Sequence, residues 1–166
     1  SRDPNYKPTG NLIYAREGNK TSTEAEKIVK CLDKSDSTLL FSSGMSALVT
    51  LLDTLEPNDH IIVQDPIYYA ISSYLEFICP RRNIQISRIQ AKNIYDVEKY
   101  IQKEKTKFLW IEPPSNPHWI TIDIRKISAI IDNYECKLIV DSTCSPGCTS
   151  NALSLGADIS FQSTTK

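Results

Sequence analysis

The chain has 166 residues, 40% of them hydrophobic and 23% charged, so a packed core is within reach and a disordered tract is excluded. Its 19 basic residues offset 20 acidic ones to a net charge of −1, which argues against the basic stripe of a general nucleic-acid binder. The apolar runs are too short for a membrane span, no signal-peptide core follows Ser1, and five cysteines without a CxxC pair suit reduced thiols in a cytoplasmic protein.

Residues 1–21 are polar and carry Pro4, Pro8, Gly10 and Gly18, which reads as an extended arm. Ser22, Thr23 and Glu24 then offer caps for a helix whose apolar positions are Ala25, Ile28, Val29 and Leu32. Beyond it the chain alternates. Short apolar runs at Thr38–Phe41, Ile61–Val63, Ile84–Ile89, Phe108–Ile111, Leu138–Val140 and Ile159–Phe161 predict strands. Helical patterns lie between most of them, at Met45–Leu55, Tyr68–Cys79, Tyr95–Lys103 and Ile124–Asn133. This alternation, with strands that are apolar nearly throughout, predicts an α/β fold built on a mostly parallel sheet flanked by helices. In such sheets ligands bind beyond the carboxyl ends of the strands.

Each strand exit carries polar groups with more than one reading. Ser42-Ser43-Gly44-Met45 opens a helix and offers backbone N–H groups to a phosphate, or is an ordinary cap. Tyr68 and Tyr69 follow the next strand and either stack on a planar ligand or cover the core. Glu112-Pro113-Pro114-Ser115-Asn116-Pro117 is a rigid loop in which Asn116 is a presented hydrogen-bonding group or a turn residue. Asp141 ends an apolar strand, where a carboxylate is costly unless paired. It could cap a helix, hold a cationic ring nitrogen or bind a metal. A metal suits it least, because no second ligand accompanies it and the chain has only two histidines, His60 and His118. Ser163, Thr165 and Lys166 form an anion site or a solvated strand end, and a lysine beside phosphate-binding hydroxyls is also what a Schiff-base site requires. Pyridoxal phosphate (PLP) needs this set of parts: donors for its phosphate, a ring to stack on, a carboxylate for its pyridinium and a lysine for its aldehyde.

In order and spacing these motifs resemble the Cys/Met-metabolism, or trans-sulfuration, family of PLP enzymes. Tyr14-Ala15-Arg16-Glu17-Gly18-Asn19 is similar to the family's Tyr-x-Arg-x-x-Asn element, and Ser43-Gly44-Met45 to its Ser-Gly-Met loop. Glu112–Pro117 with Asp123-Ile124 resembles Glu-x-Pro-x-Asn-Pro…Asp-Ile. Asp141-Ser142-Thr143 stands where Asp-Asn-Thr is usual, and Leu155–Ile159 and Ser163–Lys166 resemble Leu-Gly-Ala-Asp-Ile and Ser-x-Thr-Lys. The resemblance spans Tyr14 to Lys166 and implies the large domain of fold-type I PLP enzymes, with residues 22–166 as its first part and 1–21 as an arm reaching a neighbouring subunit.

The resemblance also implies roles. Lys166 would bond the cofactor aldehyde and shuttle protons, and Asp141 would pair with the pyridinium. Tyr68 would stack on the ring and assist proton transfer. Gly44, Met45, Ser163 and Thr165 would hold the phosphate, with Tyr14 and Arg16 reaching the phosphate of a neighbouring subunit. Asn116 would lie near the cofactor oxygen and the substrate carboxylate. The implied protein is a cytoplasmic homodimer or homotetramer of the cystathionine γ-synthase or γ-lyase type. It would act on sulfur-containing or O-activated amino acids, without a metal, nucleic acid or membrane partner. Family members continue past the lysine, so the chain is expected to be the first part of a longer protein. Tyr69-Ala70-Ile71 departs from the family's Gly-Gly-Thr. Cys144 and Cys148 read as packing residues, and His118 as a loop residue. Two other readings stand beside this one: another fold-type I enzyme such as an aminotransferase, and a catalytically silent interaction subunit.

Overall fold

The structure, a computed structural model, describes residues 3–7 and 18–166. The chain divides into two compact units between Leu40 and Phe41. The first contains helix α1 (Lys20–Asp33). Its start lies earlier than the sequence pattern suggests, because Asn19 is the cap: its backbone is extended and its side chain accepts the Ser22 N–H at 2.9 Å. The expected strand at Thr38–Phe41 is not formed. This four-residue apolar run has no ladder partner among the described residues, and the Leu40 N–H donates instead to Glu26 Oε1 at 3.0 Å.

The second unit runs in the order α2 (Gly44–Leu52), β1 (His60–Asp65), α3 (Tyr69–Arg81), β2 (Gln85–Gln90), a 3-10 segment (Ala91–Tyr100), β3 (Thr106–Ile111), α4 (Ile124–Ile131), β4 (Lys137–Asp141), a short 3-10 turn (Leu153–Leu155) and β5 (Ile159–Phe161). The five strands form one sheet in the order β2-β1-β3-β4-β5, and every neighbouring pair is parallel. The helix expected at Tyr95–Lys103 begins instead at Ala91 and is of the 3-10 kind. Ala91, Ile94 and Val97 are its buried residues, and their three-residue spacing matches three residues per turn.

Both faces of the sheet are covered, which explains why its strands read as continuous apolar runs. Ile62, Leu109, Ile111, Leu138 and Val140 point to one side and pack with Ile94, Val97 and Ile127. The alternate residues Ile61, Val63, Trp110, Ile139 and Phe161 pack on the other side with Leu48, Leu52, Ile71 and Leu75 of α2 and α3. Because all strands run the same way, their carboxyl ends share one edge. The sequence order reverses direction between β1 and β3, which is the switch point where open sheets of this kind form a ligand crevice. His60 lies at the opposite end of β1, where it is fully buried and ties three strands together. Its Nδ1 meets Thr106 Oγ1 at 2.7 Å and its Nε2 meets Ser87 Oγ at 2.9 Å.

Candidate functional site

The exits of β4 and β5 are joined by hydrogen bonds that start at a buried acid. Asp141, 4% exposed, closes β4. Its Oδ1 accepts the Thr143 N–H at 3.0 Å, and Thr143 Oγ1 in turn accepts the Ser163 N–H at 2.9 Å. Burial pushes the Asp141 carboxyl above its ordinary range, and the Thr143 bonds only partly oppose this. Among the described residues no salt bridge reaches it.

Helix α2 begins against the same exit. Ser43 caps it in a reciprocal box: Ser43 Oγ accepts the Ser46 N–H at 3.1 Å, and Ser46 Oγ accepts the Ser43 N–H at 3.0 Å. Gly44 and Met45 occupy the first helical positions, whose N–H groups have no acceptor within a helix. A Cβ on Gly44 would lie 3.4 Å from Phe161 and 3.5 Å from the Ser163 Cβ, so the donor end of the helix sits directly beside Ser163.

A second acid closes the β3 exit. Glu112, also 4% exposed, accepts the Tyr68 N–H at 2.7 Å on Oε2. Burial pushes its carboxyl up to about 7; the bond from the Tyr68 N–H opposes the rise and the charge of Asp141 adds to it. Fully buried Gln64, at the end of β1, completes the link by accepting the Glu112 N–H at 2.9 Å. Neither Glu112 nor Gln64 is among the site residues expected from the sequence. The signal was present, since Glu112 is a carboxylate at the end of an apolar strand, the same argument that singled out Asp141.

Of the two tyrosines, Tyr68 is half-buried and Tyr69 is 73% exposed, their rings meeting edge to face at 5.1 Å. Asn116 is exposed, at the tip of a loop closed by Ser115, whose N–H donates to the Ile120 carbonyl at 3.0 Å. Thr165 and Lys166 are exposed. The structure thus brings Gly44, Asp141 and Ser163 together and sets Tyr68 on Glu112, and it gives no direct bond that joins Asn116 or Thr165 to the Asp141 chain. Tyr14 and Arg16 lie outside the described residues. Cys144 and Cys148 are exposed and free, so the expectation that they pack is not met. The Cys144 thiol, although exposed, is shifted up by partial loss of solvent on its inner side and by the charges of Glu112 and Asp141, so it is not activated.

Comparison with known proteins gives this arrangement its context. The family model described as "Cys/Met metabolism PLP-dependent enzyme" matches residues 3–166. Human cystathionine gamma-lyase is 36% identical over 154 residues, which are 92% of this chain and 38% of that protein. The chloroplastic cystathionine beta-lyase of Arabidopsis thaliana is 32% identical over 165 residues, 99% of this chain and 35% of its own length. Mimosinase of Leucaena leucocephala is 34% identical over 154 residues, 92% of this chain and 34% of that protein. The crystal structure of metB from Corynebacterium glutamicum superposes on the whole chain and on 43% of its own, with a TM-score of 0.94 at 27% identity. The chain spans little more than a third of the curated relatives it matches. It belongs to the Cys/Met metabolism family of pyridoxal-phosphate-dependent enzymes.

Proposed function

We propose that the protein carrying this chain catalyses β- or γ-elimination, or γ-replacement, on sulfur-containing or O-activated amino acids, in the manner of a cystathionine γ-synthase or lyase. The observation that carries the reading is the chain Asp141–Thr143–Ser163 beside the start of α2, which links a buried acid that no salt bridge reaches among the described residues to a cluster of anion donors. The residues fit PLP: a cationic ring nitrogen would answer the cost of burying Asp141, and a phosphate would answer the free donors of α2. When bound, the cofactor supplies an electron sink that stabilises negative charge at the substrate α-carbon.

The Gly44 and Met45 N–H groups and the Ser163 and Thr165 hydroxyls are assigned to the phosphate, with Tyr14 and Arg16 reaching that of a neighbouring subunit. Asp141 would pair with the ring nitrogen and favour its protonated form. Tyr68 presents its ring as a stacking face, and Asn116 orients the substrate carboxylate. Lys166 would hold the cofactor at its aldehyde carbon through Nζ and would carry protons on that atom. Residues 1–21 serve as the intersubunit arm and 22–166 as the first part of the cofactor domain, in a homodimer or homotetramer in the cytoplasm. No described helix is long and apolar enough to cross a membrane.

The test is titration of the full-length protein with PLP, followed by assays with cystathionine, methionine and homoserine esters. A visible absorbance band that is lost in Lys166→Ala, with release of thiol or keto acid from cystathionine, is the expected result. A folded protein without the band would sink the reading. Amino transfer to an acceptor keto acid would favour the aminotransferase alternative.

A further inference from the structure

The exits of β1 and β3, on either side of the switch point, are joined by a closed set of bonds around two buried polar side chains. Gln64 Oε1 accepts the Glu112 N–H at 2.9 Å, while its Nε2 donates to the Pro66 carbonyl at 3.1 Å and the Glu112 carbonyl at 3.4 Å. Glu112 sends its carboxyl back across the gap to the Tyr68 N–H at 2.7 Å. Tyr68 is the N-cap residue of α3 and makes no side-chain cap bond of its own. The backbone that carries its ring is therefore held from a different strand.

This is an expensive way to start a helix. A Glu or Gln at the third helical position, where Ile71 stands, would take the Tyr68 N–H locally, as in a capping box, without burying a carboxyl that no salt bridge reaches among the described residues. A cap from β3 differs in one respect: it fixes α3, and the Tyr68 ring with it, relative to the strand exits that carry Asp141 and Asn116.

We infer that Glu112 is a positioning residue, which sets the lie of the Tyr68 ring against the bound cofactor, and that Gln64 holds Glu112 for that task. The inference rests on the reading of Tyr68 as the stacking residue. Gln at 112 keeps an acceptor oxygen at the same reach. Asp keeps the charge, but its carboxyl is one methylene shorter and withdraws from the Tyr68 N–H.

The experiment uses the full-length protein reconstituted with PLP, as wild type, E112Q, E112D, Q64A and Y68A. Far-UV circular dichroism checks the fold. Visible circular dichroism reads how rigidly the cofactor is oriented, equilibrium dialysis reads its affinity, and kcat and KM are measured with cystathionine. E112D and Q64A are expected to lose most of the visible dichroism, to bind PLP about tenfold more weakly, and to lose kcat by roughly ten- to a hundredfold with little change in KM. E112Q is expected to recover most of each effect. A wild-type signal in folded E112D would overturn the inference, and so would failure of E112Q to recover it, since charge rather than reach would then matter. If Y68A keeps the wild-type dichroism, the stacking reading itself fails. That result is distinguishable because it does not involve position 112.

Discussion

Asp141 and Glu112 stand at neighbouring strand exits, both buried, and no salt bridge reaches either of them among the described residues. Each is held above its ordinary acidity range first by burial. For Asp141 the sign has two consequences. Without cofactor its charge is a liability, so Asp141→Asn should raise the melting temperature of the cofactor-free protein. In its proposed role opposite the cofactor's ring nitrogen the same carboxylate would hold a positive charge, so the substitution should lower turnover by roughly a hundredfold or more. Thermal melts with and without PLP, set beside kcat, check both. A melting temperature that falls in the cofactor-free form would show that Asp141 is held by structure alone. At this scale Asp141, Gly44 and Ser163 were legible because strand exits and helix starts can be read from the sequence. The Gln64–Glu112 pair was not, because pairing across two exits depends on which strands are neighbours, and no local pattern records that.

Elements were legible where the apolar period was long enough to be unambiguous. The buried strands β1, β3, β4 and β5 lie where the apolar runs predict them, and the helices α2, α3 and α4 shift only at their ends. The misses have physical causes. The run Thr38–Phe41 carries no periodicity that separates strand from extended chain, and the segment after β2 uses a three-residue spacing that a 3.6-residue template reads late. Between α4 and β5 the chain depends on one glycine. Gly156 has φ +104°, and a Cβ there would overlap Ser128 Oγ and lie 2.8 Å from Ser128 Cβ on α4. Gly156→Ala should therefore cost roughly 1–3 kcal/mol, through both backbone strain and overlap. Ser128→Ala should not rescue it, since the Cβ contact and the strained φ remain. Denaturant titration of the two single variants and the double variant checks this, and a full rescue would mean that the hydroxyl alone was the obstacle.

For the whole molecule, the parallel sheet gathers chemistry at its carboxyl edge and places a structural histidine at the other end of β1. The two ends respond to pH in opposite senses. The Glu112 carboxyl is raised from 4.5 to about 7, so its contribution to stability is full below 4.5 and is lost as pH rises through about 7. His60 is lowered from 6.5 by burial, so its contribution is present above 6.5 and is lost as pH falls through the lowered value. In urea titrations of the cofactor-free protein, wild type is expected to lose stability relative to Glu112→Gln between pH 4.5 and about 7. The loss should be on the order of 3 kcal/mol, since each tenfold change in acidity is worth about 1.4 kcal/mol. Parallel curves for the two proteins would contradict a raised Glu112 carboxyl.

The central claim is that Lys166 is the residue that bonds the cofactor. The most direct measurement is borohydride reduction of the full-length protein with PLP, followed by peptide mapping by mass spectrometry. The expected result is a single reduced cofactor adduct, on the peptide that contains Lys166, and none in Lys166→Ala. An adduct on another lysine, or none in a folded protein that has been given the cofactor, would contradict the claim.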